Sequence, residues 1–132
     1  MKTALNEILR GLMRRSDAIG KVHAGTKLVD AVPSRTGTVV SEVALPSGTY
    51  VVTACVSWTK SEIDVLTVYS VDAGESRSLA VEARGTMTGG GGDCLSCVVT
   101  LGSESSVRLN AYHQAASTVP LSLVRLQAVR IK

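Results

Sequence analysis

The chain has 132 residues, of which 45% are hydrophobic and 19% charged, and it contains no Phe. This balance excludes an intrinsically disordered chain, which carries few apolar residues and many charges, and the length suits one domain. No apolar run is long enough to span a bilayer as a helix. The charged N-terminus also lacks the apolar stretch of a secretory signal, so we expect the protein to fold in a cytoplasm.

The net charge of +3 is concentrated at the N-terminus. Residues 1–22 hold five basic and two acidic residues, and the basic and acidic residues of the remaining chain balance. The body of the chain therefore lacks the basic patch of a nucleic-acid-binding protein. We expect the leading segment to dock on an acidic partner.

The leading segment, residues 2–22, has the spacing of an amphipathic helix. Its heptad stripe, interrupted at Arg15, consists of Leu5, Ile8, Leu12, Ile19 and Val22. A coiled coil of about three heptads is marginal by itself. The helix could therefore form a bundle around an oligomer axis or dock into a partner. The alternatives are that it packs on its own domain or lies on a membrane surface. Leu at the first and Ile at the second stripe position disfavours dimers, so residues 1–23 are predicted to oligomerise or anchor the protein.

From residue 24 onward the hydrophobic period changes to two, with turn signals between short apolar runs. The pattern predicts about eight strands and no helix. They cover about residues 27–32, 38–45, 49–58, 63–71, 78–83, 94–101, 106–114 and 120–131. The predicted fold of residues 24–132 is an all-β, antiparallel jelly-roll sandwich. An immunoglobulin-like sandwich competes with it but lacks the expected Cys…Trp…Cys spacing.

Two local irregularities carry predictions of their own. The alternation slips near Ala128 and Val129, which predicts a β-bulge there. The four glycines at 89–92 are expected in a loop, because glycine weakens a strand interior. This loop lacks the Lys-Ser/Thr ending of a phosphate-binding loop.

The three cysteines are Cys55, Cys94 and Cys97, and we expect them to be reduced in a cytoplasm. The C-x-x-C pair has no second paired motif with which to complete a zinc site. On a strand its two members also point to opposite faces. We therefore predict neither a metal site nor a cofactor.

No arrangement of residues predicts catalysis. His23 and His113 have no neighbouring nucleophile motif. Glu62 and Asp64 share one face of one strand, whereas a glycosidase needs two carboxylates across a cleft. We expect a protein that is not an enzyme.

Exposed loops are the expected location of binding residues. Three loops qualify, namely the turn after Trp58, residues 84–93 and residues 113–118. The candidate binding residues are Trp58, Lys60, Arg84, Met87 and His113. Trp58 lies an even number of residues from Tyr50 and therefore on the same face of the predicted strand, which favours a core position at the end of the sheet.

Two blocks of the sequence resemble a known family. Residues 41–58, SEVALPSGTYVVTACVSW, place a Pro, a Gly and a Tyr before an alternating strand. Residues 96–101, 107–112 and 123–131 follow as a hydrophobic strand, a V-x-L-x-A-Y strand and a C-terminal strand. Both blocks resemble the complement/tumour-necrosis-factor-like jelly rolls. Similar short jelly rolls recur in bacteriophage fibres and prophage-encoded virion proteins.

The resemblance implies a homotrimer in which one sheet of each subunit faces a three-fold axis. We expect Tyr112 or Leu109 near that axis, and since they have opposite parity at most one of them can face it. The predicted protein is a non-enzymatic phage or prophage virion structural protein, such as a head fibre, decoration protein or tail-fibre tip. Its N-terminal helix would dock on an acidic surface of another virion protein, and its β domain would attach to a host-surface glycan or protein. The alternative is a non-viral surface adhesin or carbohydrate-binding module.

Overall fold

The computed structural model describes residues 19–59, 63–72, 75–83 and 91–132. Their regular structure is entirely β. The strands are β1 (Val22–Ala24), β2 (Thr26–Lys27), β3 (Ala31–Val32), β4 (Thr38–Leu45), β5 (Gly48–Trp58), β6 (Val65–Asp72), β7 (Glu75–Ala83), β8 (Gly91–Leu101), β9 (Ser105–Tyr112) and β10 (Val119–Arg130). Within these ranges no helix is long and apolar enough to cross a bilayer.

The strands form two antiparallel sheets. Sheet 1 has the order β1-β10-β5-β8, with β3 beside β10, and sheet 2 has the order β2-β4-β9-β6-β7. Strands that follow each other in the chain, such as β4 and β5 or β8 and β9, lie in different sheets. This crossing between two sheets is the jelly-roll arrangement, and the predicted all-β sandwich is confirmed.

Strand β5 shows how the sequence builds the core. Its alternate residues from Tyr50 to Trp58 are buried, and the intervening residues from Val51 to Ser57 are only partly covered. Residues two apart in a strand share a face, so one face of β5 packs against sheet 2. Most of the core is Val, Leu and Ala. A fully buried side chain of this size contributes about 1.5–3 kcal/mol, so a core with few aromatic rings suffices.

The predicted first strand is wrong in one respect, since residues 27–32 form two short strands. Thr26–Lys27 pairs with β4 in sheet 2, whereas Ala31–Val32 pairs with β10 in sheet 1. Asp30 lies at the crossing, where its carbonyl accepts a hydrogen bond from the Leu121 amide at 2.8 Å. One alternating sequence run thus serves both sheets.

The predicted bulge at Ala128 and Val129 is also wrong. The pairing of β10 with β5 shifts register between Leu121 and Leu123, and runs regularly from there to Arg130. The sequence alternation slips near Val129 because that side chain is apolar although it lies on the face away from the core. An apolar residue on the outer face and a bulge give the same sequence pattern.

Two of the four glycines belong to a strand, contrary to the predicted loop. Gly91 and Gly92 open β8 and pair with Trp58 and Ser57. A Cβ on Gly92 would lie 2.9 Å from the Ser57 hydroxyl oxygen, so a larger residue here would require the Ser57 side chain to move. The rest of the predicted binding loop, residues 84–90, lies outside the described residues.

The C-terminal end of the predicted helix is not helical. Gly20 has a φ of 82°, and its amide donates to the Arg130 carbonyl at 2.7 Å. The Lys21 carbonyl accepts from the Arg130 amide at 3.1 Å, and Val22 begins β1. The edge of β10 offers backbone groups to this segment, and pairing with them replaces the helix. Residues 1–18 lie outside the described residues.

Candidate functional site

The two ends of the sandwich carry different parts of the chain. We call the end where β1 begins and β10 finishes the entry end. The opposite end, the loop end, is where β5, β7 and β9 finish and β6, β8 and β10 begin. The registers fix this assignment, because Trp58 pairs with both Gly91 and Leu121, and Val65 pairs with both Tyr112 and Ala83. All three predicted binding loops therefore leave their strands at the loop end.

The predicted binding residues are not all available to a ligand. Trp58 is 4% exposed and His113 is fully buried, so the structure rules out both as surface contacts. The core position of Trp58 follows from its parity with Tyr50. Lys60, Arg84 and Met87 lie outside the described residues.

His113 joins two loops of the loop end. Its Nε2 atom lies 2.8 Å from the Val32 carbonyl oxygen, and its own carbonyl accepts a hydrogen bond from the Arg35 amide at 3.1 Å. Ser34 extends the link by donating its hydroxyl to the Ala115 carbonyl at 2.5 Å. The segment after β3 is thereby tied to the segment after β9, which makes His113 a structural residue.

Asp64 has a similar structural role. Its carboxylate accepts a hydrogen bond from the Gln114 amide at 2.7 Å, and its own amide donates to the Tyr112 carbonyl at 2.9 Å. A carboxylate engaged with the backbone in this way holds the loop in place. Glu62, the other half of the predicted acidic pair, lies outside the described residues.

The face of sheet 1 that points away from the core is the most unusual surface among the described residues. Four valines, one from each of the four main strands, lie side by side across it. We call this set the valine row, and in sheet order it consists of Val22, Val129, Val51 and Val98. Val22 is 55% and Val98 65% exposed, and the exposed Ile19 and Ile131 lie at the same end of the sheet. A contiguous apolar surface of this kind marks an interaction site.

Polar groups follow the valine row towards the loop end. The next row contains Gln127, Thr53 and Ser96, and the row after that contains Arg125, Cys55 and Cys94. Arg125 is exposed and is the single charged residue that β1, β5, β8 and β10 place on this outer face. The face is therefore neutral except at one position.

Cys55 and Cys94 form a disulfide between β5 and β8, contrary to the prediction of reduced thiols. They are direct register partners with Cα atoms 4.1 Å apart, a separation typical of a non-hydrogen-bonded antiparallel pair. Cys97 stays free and packs against the core, and burial raises the pKa of its thiol. In the described parts of the chain no three His, Cys, Asp or Glu side chains are grouped to hold a metal ion.

His23 closes the core at the entry end. Its ring meets the buried Tyr50 ring edge-on, with centroids 5.8 Å apart. The ring also lines an open cavity of about 340 Å³ together with Glu42. Burial lowers the pKa of His23, and the nearby charges of Lys21 and Arg130 lower it further.

Solved structures share this arrangement of strands. The crystal structure of murine APRIL at pH 5.0 superposes with a TM-score of 0.65 at 16% sequence identity, over 83% of this chain and 98% of that chain. Eiger TNF from S. frugiperda superposes with a TM-score of 0.62 at 9% identity, over 84% of this chain and 92% of that chain. The fold is a tumour-necrosis-factor-like (TNF-like) jelly roll. No family model and no curated protein sequence matches the chain.

In this TNF-like jelly roll the residues predicted near an oligomer axis fall on different surfaces. Tyr112 is partly exposed on the outer face of sheet 2, whereas Val22 is on the outer face of sheet 1. One axis cannot contact both faces. Leu109 is buried in the core of its own subunit. Ile19 is exposed next to β1, and Leu5, Ile8 and Leu12 lie outside the described residues.

The sequence prediction missed the valine row and Arg125. The alternation of β5 already indicates that Val51 faces away from Tyr50 and Val52. The alignment of Val51 with Val98 and Val129 depends on the register between strands that are distant in sequence. The row could not be predicted because the sequence does not reveal which residues of distant strands are paired.

Proposed function

We propose that this chain is a non-enzymatic, homotrimeric display module of a phage or prophage virion, such as a head fibre, decoration protein or tail-fibre tip. The N-terminal segment would anchor it, and the loop end would carry attachment. The resemblance to complement/tumour-necrosis-factor-like jelly rolls implied a homotrimer, and the TNF-like fold supports that inference. The main structural support for the proposal is the apolar outer face of sheet 1.

The valine row gives association a driving force. Removing apolar surface from water is favourable by about 25 cal/mol per Å², and the row spans the four main strands of sheet 1, namely β1, β10, β5 and β8. Apart from Leu123 and the one charge of Arg125, the rest of the face bears mainly hydroxyls, an amide and the disulfide, so Arg125 is the single charge that contact would desolvate. A largely apolar sheet face with a single charged residue fits a permanent interface between copies of the chain.

The N-terminal segment and the candidate binding loops lie at opposite ends of the sandwich, which suits a protein that displays its loops. Residues 1–18 connect to Ile19 at the entry end, and the candidate loops leave the sandwich at the loop end. An anchor at the first end presents the loops at the second. The excess positive charge of residues 1–22 suits an acidic docking surface on another virion protein.

The disulfide fits a protein displayed on a surface. Disulfides persist on virion and cell surfaces and outside cells, and are rare in reducing cytoplasm. Cys55–Cys94 therefore supports a virion surface as the final location and equally supports the second candidate, a non-viral surface adhesin or carbohydrate-binding module.

Sedimentation velocity of the full chain tests the trimer. We expect three chains per particle for the unchanged protein and dissociation for Val98→Lys, because a lysine in the valine row would bury a charge at the interface. Leu28→Lys is the control, since Leu28 is also an exposed apolar residue but lies outside sheet 1. A monomeric unchanged protein would reject the proposal.

The two candidate roles differ in where the protein is found. A virion module sediments with intact particles and is detected in them by mass spectrometry. An adhesin is absent from particles, and its full chain binds glycans on an array. Glycan binding without particle association would favour the adhesin.

A further inference from the structure

Arg125 is the only charge on the outer faces of β1, β5, β8 and β10, which form the surface proposed to face the trimer axis. We propose that three Arg125 side chains, one from each subunit, bind a tetrahedral oxyanion such as inorganic phosphate or sulfate on the three-fold axis. This site rests on the proposed trimer and is incomplete in a single chain.

The surroundings of Arg125 offer it no counter-charge. Its register partner is Cys55, and its outward neighbours along β10 are Leu123 and Gln127. No carboxylate of the four strands lies on this face, and Arg125 makes no hydrogen bond or ion pair within the described chain. By contrast, Arg108 on sheet 2 is paired with Glu42 at 3.3 Å.

In the proposed trimer the charge of Arg125 is repeated three times around the axis. A guanidinium stays protonated at all physiological pH values. Three of them drawn together around one axis repel each other and lose water, which is strongly destabilising without a partner. An anion between them removes the repulsion and satisfies their N–H donors.

The symmetry of the site selects the anion. A tetrahedral oxyanion has a three-fold axis along each of its bonds to oxygen, so three equivalent oxygens each accept hydrogen bonds from one guanidinium. A planar carboxylate has no three-fold axis. Gln127 and the Thr53 hydroxyl lie in the adjacent row and supply further donors to the same region.

Isothermal titration of the full chain with sodium sulfate and with sodium phosphate, in chloride buffer of constant ionic strength, tests the site. We expect one anion bound per three chains, and a melting temperature that rises with sulfate but not with added chloride. Arg125→Gln keeps a polar side chain without the charge and should remain trimeric while sulfate binding weakens roughly tenfold or more. Arg77→Gln, an exposed arginine on β7, should bind sulfate like the unchanged protein.

Other outcomes have definite meanings. A trimer that binds no anion, binds one per chain, or keeps its sulfate response in Arg125→Gln overturns the site and leaves the trimer standing. If Arg125→Gln weakens the trimer in oxyanion-free buffer, Arg125 stabilises the trimer without a bound anion, which also overturns the site. A monomer under all conditions overturns both this proposal and the proposed function.

Discussion

Val51 and Val52 are adjacent in β5 but face opposite surfaces, Val51 lying beside Val98 on the outer face and Val52 in the core. This relationship gives a matched pair of substitutions. Val→Thr keeps the shape and the β-branched character of the side chain but exchanges a methyl for a hydroxyl. Its effect therefore depends on which surface the methyl contacts.

We expect Val51→Thr to weaken the trimer while leaving the unfolding of the monomer nearly unchanged. Each lost methyl contact is worth about 0.8 kcal/mol, and the trimer contains three copies. The dissociation constant, measured by sedimentation across a concentration series, should rise. Val52→Thr should instead lower the free energy of unfolding by about 1–3 kcal/mol, because it buries a hydroxyl. Equal effects of the two substitutions on assembly would contradict the assigned interface.

The disulfide should be visible both in thiol counts and in stability. Titration of the denatured, unreduced protein should find one free thiol per chain, that of Cys97. The double substitution Cys55→Ser with Cys94→Ser should lower the free energy of unfolding in urea by up to about 4 kcal/mol, since the bridge limits the freedom of the unfolded chain.

Cys97→Ser is the control for that experiment, because it leaves the bridge in place. Adding dithiothreitol should destabilise the unchanged protein and Cys97→Ser, and should not affect the double variant. Three free thiols in protein purified without reductant would show that the bridge does not form.

His23 should make the stability of the protein decrease in acid. Burial and the charges of Lys21 and Arg130 lower the pKa of His23 below 6.5 in the folded state, so the unfolded state binds the proton more tightly. Stability is therefore complete above pH 6.5 and falls as pH drops from there through the lowered pKa. Urea unfolding at a series of pH values should show this slope, and the part of it that begins near pH 6.5 should be absent in His23→Gln.

His113 should stabilise the loop end. His113→Leu removes the hydrogen bond with the Val32 carbonyl and leaves that acceptor without this partner, at a cost of about 1–3 kcal/mol in the free energy of unfolding. Limited proteolysis should then cut the segment after β3 faster. Unchanged stability and cleavage would show that the link does not hold the two loops together.

The alternation of apolar residues was enough to predict most strands and their inward faces. Strand 38–45 was predicted with its observed bounds, and the core side of β5 followed from parity, because a strand's two faces are set locally. The expectation that Cys94 and Cys97 face opposite ways rests on the same rule and is confirmed. The alternation of apolar residues along each strand was thus sufficient to predict the fold class.

Sequence spacing was misleading wherever a distant strand decided the outcome. Ile19 and Val22 fit a heptad, but the segment they bound pairs with Arg130 more than a hundred residues away. Cys55 has a C-x-x-C motif downstream, yet its partner is the one cysteine that the register places opposite it. Neither pairing leaves a mark in the local pattern.

The sequence by itself determined that this protein is an all-β sandwich with a core of small side chains, because alternation and turns are properties of neighbouring residues. Only the tertiary structure decided what the outward-facing residues do. It aligned four valines from four strands and left Arg125 alone on the same face. Register between distant strands creates surfaces, and register is a property of the folded sheet rather than of any one segment.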